Sequence, residues 1–361
     1  MAARQDRPEG IHDGLVPRPC GGPPEIAARA SATAARTSGS ARRDNGRVNR
    51  TTRLDLLLQP RPPSPLREVR DDGFERHGVR LLLKRDDLVH PELPGNKWRK
   101  LAPNLRAAVR GGHPGLVTFG GAYSNHLRAT AAAGRLLGIS TVGVVRGDEL
   151  AGRPLNASLA RCAADGMRLH FASRSEYRRK NEPEVRAALL AAAGVGDAYV
   201  IPEGGSNALA LSGCAELGRE LRGEADVVAV ACGTGGTLAG LAAGLGPGGR
   251  ALGVPVLAGG FLGAEIRSLQ RQAFGGPAGD WTLAEGFHHG GYARVPAELE
   301  AFAAGFEARH GVPVERVYVA KLLWALTELT AAGAFPRGTT LAAVVTGAPE
   351  PSGPAQADSS R

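Results

Sequence analysis

Lysine is scarce in this chain. Arginine carries almost all the positive charge, and lysine occurs only at Lys84, Lys97, Lys100, Lys180 and Lys321. Chemistry that needs a primary amine therefore has five candidates. Aromatic residues make up only 5% of the chain, too few for a platform that stacks nucleic-acid bases. The formal charge of +9 does not reverse that exclusion, because residues 1–53 hold ten arginines against five acidic residues and the remainder is mildly basic. The cysteines Cys20, Cys162, Cys214 and Cys232 are scattered, with no CxxC pair. That pattern fits neither a disulfide framework nor a zinc site, and a reducing cytoplasmic compartment is expected. No apolar run approaches the roughly 18 residues of a membrane span. The N-terminus also lacks the apolar core of a secretory signal. Neither nucleic acid nor a membrane is an expected partner.

Residues 1–53 mix Ala, Arg, Gly, Pro and Ser without helix or strand periodicity, as in "IAARASATAARTSGSARRDNGRVNR". They bury too little apolar surface to offset ordering entropy, so a disordered tail or a mis-called start is expected. Residues 349–361 read as a second loose tail. Between them, strand-like runs such as "VRLLLKRD", "GLVTF", "STVGVV", "ADVVAVA" and "TLAAVV" alternate with helical spacing. This alternation predicts βαβ units, an α/β fold with largely parallel sheets, and ligands at strand C-terminal ends.

The motifs fall at those ends. "CGTGGT" lies between a strand and a helix, where Gly233, Gly235 and Gly236 let several N–H groups converge on an anion. Thr234 and Thr237 add hydroxyls. A plain tight turn is the competing explanation. No Lys-Ser/Thr follows, as a P-loop requires, and Leu238 stands where a dinucleotide fingerprint needs its third glycine. A phosphate monoester fits; a nucleotide does not. "GNKWRKL" opens a helix with Asn96 as its expected cap, placing Lys97 in the first turn against the helix dipole. That cost becomes activation if the amine is tied up as an imine or has a lowered pKa, whereas a solvated lysine is equally compatible with the heptapeptide alone. Arg99 and Lys100 read as helix-surface cations.

"GGAYSNH" opens the next helix, where capping by Ser124 and Asn125 explains those two, while Tyr123 and His126 exceed what a cap needs. "PEGGSNALALSG" is a further strand-to-helix turn. His288 and His289 are adjacent in "GFHHGGY", so on extended backbone they point apart, and no acidic cluster supports a metal. Tyr318 and Thr346 are individually uninformative. Taken together, a phosphate cradle, one lysine at a strand-helix junction and hydroxyl and amide groups nearby imply pyridoxal 5′-phosphate, which needs a lysine, an anion site and a partner for its pyridine nitrogen.

With these motifs in order, from "SPL" through "LLLKRDDL", "GNKWRKL", "YSNH", "YVIPEGGSNAL", "CGTGGTLAG", "LGVPVLAGGF" and "VYVAK" to "VVTG", the chain resembles a known family. It is similar to the fold type II, tryptophan-synthase-β-like pyridoxal-phosphate enzymes, within them the 1-aminocyclopropane-1-carboxylate deaminase/D-cysteine desulfhydrase family. The resemblance runs from Ser64 to Ala348. It implies two open, twisted, mostly parallel sheets flanked by helices, with the cofactor in a cleft between two domains. The large domain would comprise residues 54–100 and 206–348, and the small one 101–205. It implies Lys97 as the imine-forming lysine, Ser124 and Asn125 as substrate-carboxylate and ring contacts, and Gly233 to Thr237 as the phosphate loop. Tyr318 would face the substrate and Thr346 the pyridine nitrogen, with His126, Phe287, His288 and Tyr292 as pocket candidates.

The departures bear on substrate. Deaminases of the family follow the tyrosine with glutamate and desulfhydrases with threonine, whereas Val319 stands here. Thr346 matches the desulfhydrases, since deaminases usually carry leucine there. Phe287 replaces a family tyrosine, and Ala320 and Ala348 replace common glycines. The implied activity is α,β-elimination and deamination of a small amino acid, most like D-cysteine desulfhydrase. Alternatives are deamination of 1-aminocyclopropane-1-carboxylate, β-replacement, or cofactor holding without turnover. A homodimer is the assembly that the family implies.

Overall fold

The computed structural model describes residues 50–59, 63–93, 95–347 and 349, which fall in the unit Arg47–Arg361. The expected tails, as far as residue 49 and from residue 350, lie outside these residues, as do Pro94 and Ala348. Residues 50–53 depart from the tail expectation, because residues 50–57 form a helix, α1. Leu54, Leu57 and Leu58, at i, i+3 and i+4, bury one face of it in a core cluster with Leu101 and Leu105.

In chain order there follow β1 (Leu66–Val69), α2 (Asp72–Glu75), β2 (Arg80–Lys84), α3 (Asn96–Arg110), β3 (Gly115–Gly120), α4 (Asn125–Leu137) and β4 (Ser140–Arg146). Next come α5 (Ala157–Ala164), β5 (Met167–Ala172), α6 (Arg174–Arg178), α7 (Pro183–Ala192), β6 (Tyr199–Ile201) and α8 (Ala208–Glu220). Then β7 (Val227–Cys232), α9 (Gly236–Leu245), β8 (Arg250–Pro255), α10 (Leu262–Phe274) and β9 (Asp280–Leu283) precede α11 (Ala297–His310), α12 (Val319–Ala331) and β10 (Thr340–Val344).

The strands form two sheets. One is six-stranded, in the order β1-β2-β10-β7-β8-β9, parallel except for β1 on the edge; the other is four-stranded and parallel, in the order β5-β4-β3-β6. Central strands β3 and β7 are buried at every position, as strands covered on both faces must be. In the six-stranded sheet Val227, Ala229 and Ala231 face one core, and Val228, Val230 and Cys232 face the other, with the alternation that a pleat imposes. No helix among the described residues is long and apolar enough to cross a membrane.

Close helix packing sets the site. On α8, a Cβ at Gly213 would stand 2.0 Å from the Arg99 carbonyl oxygen of α3. On α9, a Cβ at Gly244 would stand 2.0 Å from the Ala215 carbonyl oxygen of α8. Backbone-to-backbone contact at these two crossings requires glycine. It draws α3 and α9 in on either side of α8, bringing the start of α3 near the glycine turn before α9.

Candidate functional site

Helix α3 begins without a side-chain cap. Gly95 occupies the N-cap position at φ 63°, and Asn96, expected to cap, is instead the first helical residue. Its amide Nδ2 donates to Thr237 Oγ1 at 3.1 Å, tying the start of α3 to the glycine turn. Lys97 follows and is half-buried. Burial, reinforced by the neighbouring Lys100 ammonium, pulls its amine down to about 7.

Arg99 and Lys100 are not surface cations; they are 3% and 2% exposed. The first turn of α3 faces α8 and the glycine turn rather than solvent. Lys100 Nζ donates to Ser206 Oγ at 3.0 Å and to the Gly204 carbonyl at 3.2 Å, and burial lowers its pKa. Arg99 reaches the other way, donating to both oxygens of Asp86 at 2.7 Å and to Glu220 at 2.8 and 3.0 Å. Lys84 joins this buried network through Glu220 at 2.7 Å.

The glycine turn is a cradle that side chains would fill. A Cβ on Gly236 would meet Ser206 Oγ at 2.5 Å and Lys100 Nζ at 3.2 Å, and one on Gly233 would meet the Tyr318 hydroxyl oxygen at 3.2 Å. Gly235 takes φ 77°, and Thr234 Oγ1 lies 2.7 Å from Ser206 Oγ. The two partners found for the buried Lys100 amine are neutral oxygens. A phosphate monoester is the anion that this donor set lacks, so the residues fit the phosphate of pyridoxal 5′-phosphate.

Across the cavity, Ser124 caps α4 by accepting the Leu127 N–H at 3.3 Å, and Asn125 Oδ1 accepts from the Arg128 guanidinium. His126 is buried, with Nε2 2.8 Å from Thr118 Oγ1. The Thr118 proton goes to the Ile201 carbonyl, so Nε2 donates and Nδ1 is a bare acceptor without a hydrogen-bond partner among the described residues. Burial, then the charges of Lys97 and Lys100, hold this imidazole well below its usual range. Tyr318 precedes α12, whose start is held by Glu315; that carboxylate accepts from the N–H groups of Val317, Tyr318 and Val319 at 2.9, 2.7 and 3.3 Å. Burial, then the adjacent Tyr292, pushes the Tyr318 phenol well above its ordinary value, so it is a neutral donor. The two tyrosine rings meet edge to face with centroids 6.1 Å apart.

One cavity of about 950 Å³ is lined by Lys97, Ser124, Asn125, His126, Gly233, Thr234, Gly235, Thr237, Tyr292 and Tyr318. Gly236, Phe287, His288 and Thr346 are not among its lining residues. Phe287 packs on the core, and His288 Nδ1 accepts the Gly290 N–H at 3.1 Å within its own turn. Val319 is buried in the core at 1% exposure, so it puts no polar group beside Tyr318. Sequence reasoning missed Lys100, Ser206, Glu315 and Arg128. Lys100 had a signal, since it stands at i+3 from Lys97 and shares its helix face. No group of three His, Cys, Asp or Glu that could hold a metal occurs among the described residues.

The family model described as pyridoxal-phosphate dependent enzyme matches residues 57–347. A putative 1-aminocyclopropane-1-carboxylate deaminase of Thermotoga maritima is 36% identical over 54% of this chain and 61% of its own length. A bifunctional D-cysteine desulfhydrase/1-aminocyclopropane-1-carboxylate deaminase, mitochondrial, of Arabidopsis thaliana is 35% identical over 50% and 49%. The chain therefore spans about half to three fifths of the length of these curated relatives. Among solved structures, an ACC deaminase homologue superposes with a TM-score of 0.68 at 26% identity, covering 82% of this chain and 94% of that one. The fold, the cradle that fits a phosphate and these matches agree: the chain belongs to the family of pyridoxal-phosphate dependent enzymes that includes 1-aminocyclopropane-1-carboxylate deaminases and D-cysteine desulfhydrases.

Proposed function

We propose that this chain is a lyase that removes a β-substituent from a small amino acid, most like D-cysteine desulfhydrase. The observation that carries the proposal is Lys97, a half-buried amine drawn down to about 7, in one cavity with the phosphate cradle. Bound pyridoxal 5′-phosphate supplies an electron sink for the pair left on the substrate Cα. Gly233 to Thr237 and Lys100 would hold its phosphate, with Thr346 the proposed partner of its pyridine nitrogen. Ser124 and Asn125 would orient the substrate carboxylate at the start of α4.

A lysine amine near neutrality is a competent base at pH 7. Lys97 Nζ takes the Cα proton, the Cβ–S bond breaks with its pair on sulfur, and hydrogen sulfide leaves after protonation. The neutral Tyr318 hydroxyl, which lines the same cavity, would supply that proton. The released aminoacrylate takes up water and gives pyruvate and ammonia. An assembly of two copies and a cytoplasmic location belong to the same proposal.

Ring-opening deamination of 1-aminocyclopropane-1-carboxylate is the second reading, favoured by the names of the relatives. It asks for a polar residue after Tyr318, and Val319 offers none. A panel of D- and L-cysteine, D-serine, β-chloroalanine and the cyclopropane acid, assayed for sulfide, pyruvate and 2-oxobutyrate, decides between them. Sulfide and pyruvate from D-cysteine support elimination; 2-oxobutyrate alone establishes the deaminase.

A further inference from the structure

Lys321 is a buried ammonium outside the cavity. It stands at i+3 from Tyr318 on α12, is 0% exposed, and is not among the lining residues. Burial draws its pKa down to about 8, with the Glu315 carboxylate opposing. Its Nζ donates to two backbone carbonyls, His288 at 2.9 Å and Gly291 at 2.8 Å. It makes no ion pair with a described carboxylate. Burying a charge against neutral oxygens is unfavourable, and both oxygens belong to one loop.

That loop, residues 284–296 between β9 and α11, is strained. Among the described residues, His289 and Ala293 are the non-glycine residues with positive φ, at 50° and 58°. Its first half is anchored by side chains: Phe287 packs on the core, and the His289 ring meets Trp324 edge to face at 5.3 Å. Gly290 and Gly291 have no side chain to anchor, so the second half is held through its carbonyls. The His288 carbonyl also accepts the Gly291 N–H at 3.0 Å, and the Gly291 carbonyl accepts the Arg294 N–H at 3.2 Å. Lys321 thus pins two successive turns, and Tyr292 sits within the second.

Tyr292 reaches from this loop into the cavity. Its ring lies edge to face with Tyr318, and its hydroxyl donates to the Tyr123 carbonyl at 3.2 Å, beside Ser124 at the head of α4. Because Lys321 and Tyr318 share one turn of α12, the ammonium holds both tyrosines in one frame. We propose that Lys321 is a positioning residue for the elimination: it pins the 288–291 turn so that Tyr292 keeps the Tyr318 hydroxyl directed at the leaving group. This rests on the elimination reading above, in which the Cβ–S bond breaks with its pair on sulfur and Tyr318 gives the proton. With β-chloro-D-alanine the Cβ–Cl bond breaks with its pair on chloride, which leaves without a proton. Water converts aminoacrylate to pyruvate and ammonia in both cases.

The test compares the full-length holoenzyme with Lys321→Met, following pyruvate from D-cysteine and from β-chloro-D-alanine. The ratio of the two kcat values, D-cysteine over β-chloro-D-alanine, is expected to fall about tenfold, since only sulfur needs the Tyr318 proton. In a Tyr292→Ala background, Lys321→Met is expected to change that ratio by no more than about twofold. A residue that only supports the fold lowers both rates alike. An unchanged ratio, or the same tenfold fall in both backgrounds, therefore overturns the proposal.

Hydrogen exchange gives a readout that needs no turnover. In Lys321→Met the segment 286–295 is expected to exchange about tenfold faster, with β7 and β10 at parental rates. Loop exchange at the parental rate, or faster exchange across both sheets, rejects the positioning role. Lys321→Gln, whose amide is too short to reach both carbonyls, is the second variant and is expected to give the same pattern where methionine does not fold. Failure of the elimination reading itself is recognised separately, as no pyruvate from either amino acid in the parent while the loop still loosens in the Lys321 variants.

Discussion

A Cβ built on Gly95 would stand 1.8 Å from the carbonyl oxygen of Thr346. The glycine at the head of the Lys97 helix thus lies directly on the end of the last strand, at φ 63°, which other residues rarely adopt. This contact fixes the height of α3 over the sheet and, with it, the position of the Lys97 amine.

Gly95→Ala has no relaxed solution, because both the contact and the backbone angle oppose a side chain. The expected cost is about 1–3 kcal/mol of stability. Cofactor occupancy and turnover should fall further than stability does, since the displaced group carries the amine. Urea denaturation beside the cofactor absorbance separates the two effects. An alanine variant with parental absorbance and stability would refute the role of this contact.

Lys97 predicts a pH dependence in the cofactor-free protein. The amine sits at about 7 in the folded state against 10.5 ordinarily. Between those values the unfolded chain holds a proton on this residue that the folded chain has lost. Raising the pH through that window therefore favours folding, and stability rises from about pH 7 towards pH 10. Lys97→Met should flatten this part of the stability profile, leaving the shares contributed by Lys100, whose amine burial also lowers, and by Lys321, which is lowered to about 8. In the holoenzyme, borohydride reduction followed by peptide mapping should mark Lys97. Label on Lys84 or Lys100 contradicts the assignment.

Much of this arrangement is legible in the sequence for physical reasons. Strands buried on both faces leave continuous apolar runs, and a backbone anion cradle leaves clustered glycines. Lys97 stood out because lysine is rare and its helix position is unfavourable. The helix at residues 50–57 carried its signal in Leu54, Leu57 and Leu58, but the low-complexity segment before it hid the boundary. The partners of Arg99 and Lys100 left none. Asp86, Glu220 and Ser206 are separated from them by 13, 121 and 106 positions; the close crossing of α3 and α8 brings in Glu220 and Ser206, and the turn after β2 brings in Asp86. A charged residue in the first turn of a helix looks solvent-facing until the opposite element is known.

Under the proposed function, Lys100 is the buried amine that meets the cofactor phosphate. Replacing it with methionine removes a buried charge that has no carboxylate partner among the described residues, so the cofactor-free protein should lose no stability and gain up to about 1–2 kcal/mol. Affinity for pyridoxal 5′-phosphate should drop about tenfold to a hundredfold, the worth of a charged hydrogen bond to the phosphate. Thermal denaturation of the cofactor-free protein and a cofactor titration check the two signs. A fall in both would mean that Lys100 serves the fold rather than the phosphate.

Arg99 differs from its neighbour in being fully committed to protein carboxylates. Its guanidinium bridges Asp86, which is wholly buried, and Glu220, which also holds Lys84. Removing one partner of such a network leaves uncompensated charge inside, so Arg99→Met should destabilise by about 3–5 kcal/mol. Arg99→Lys keeps the charge without the planar fork that engages both acids, and should recover only part of the loss. Because the network joins β2, α3 and α8, both variants should also weaken cofactor retention in proportion to their loss of stability. Urea midpoints for the two variants test the order, methionine below lysine below parent. A methionine variant as stable as the parent would show that Asp86 and Glu220 tolerate burial without this arginine, and the network would then have no part in setting α3.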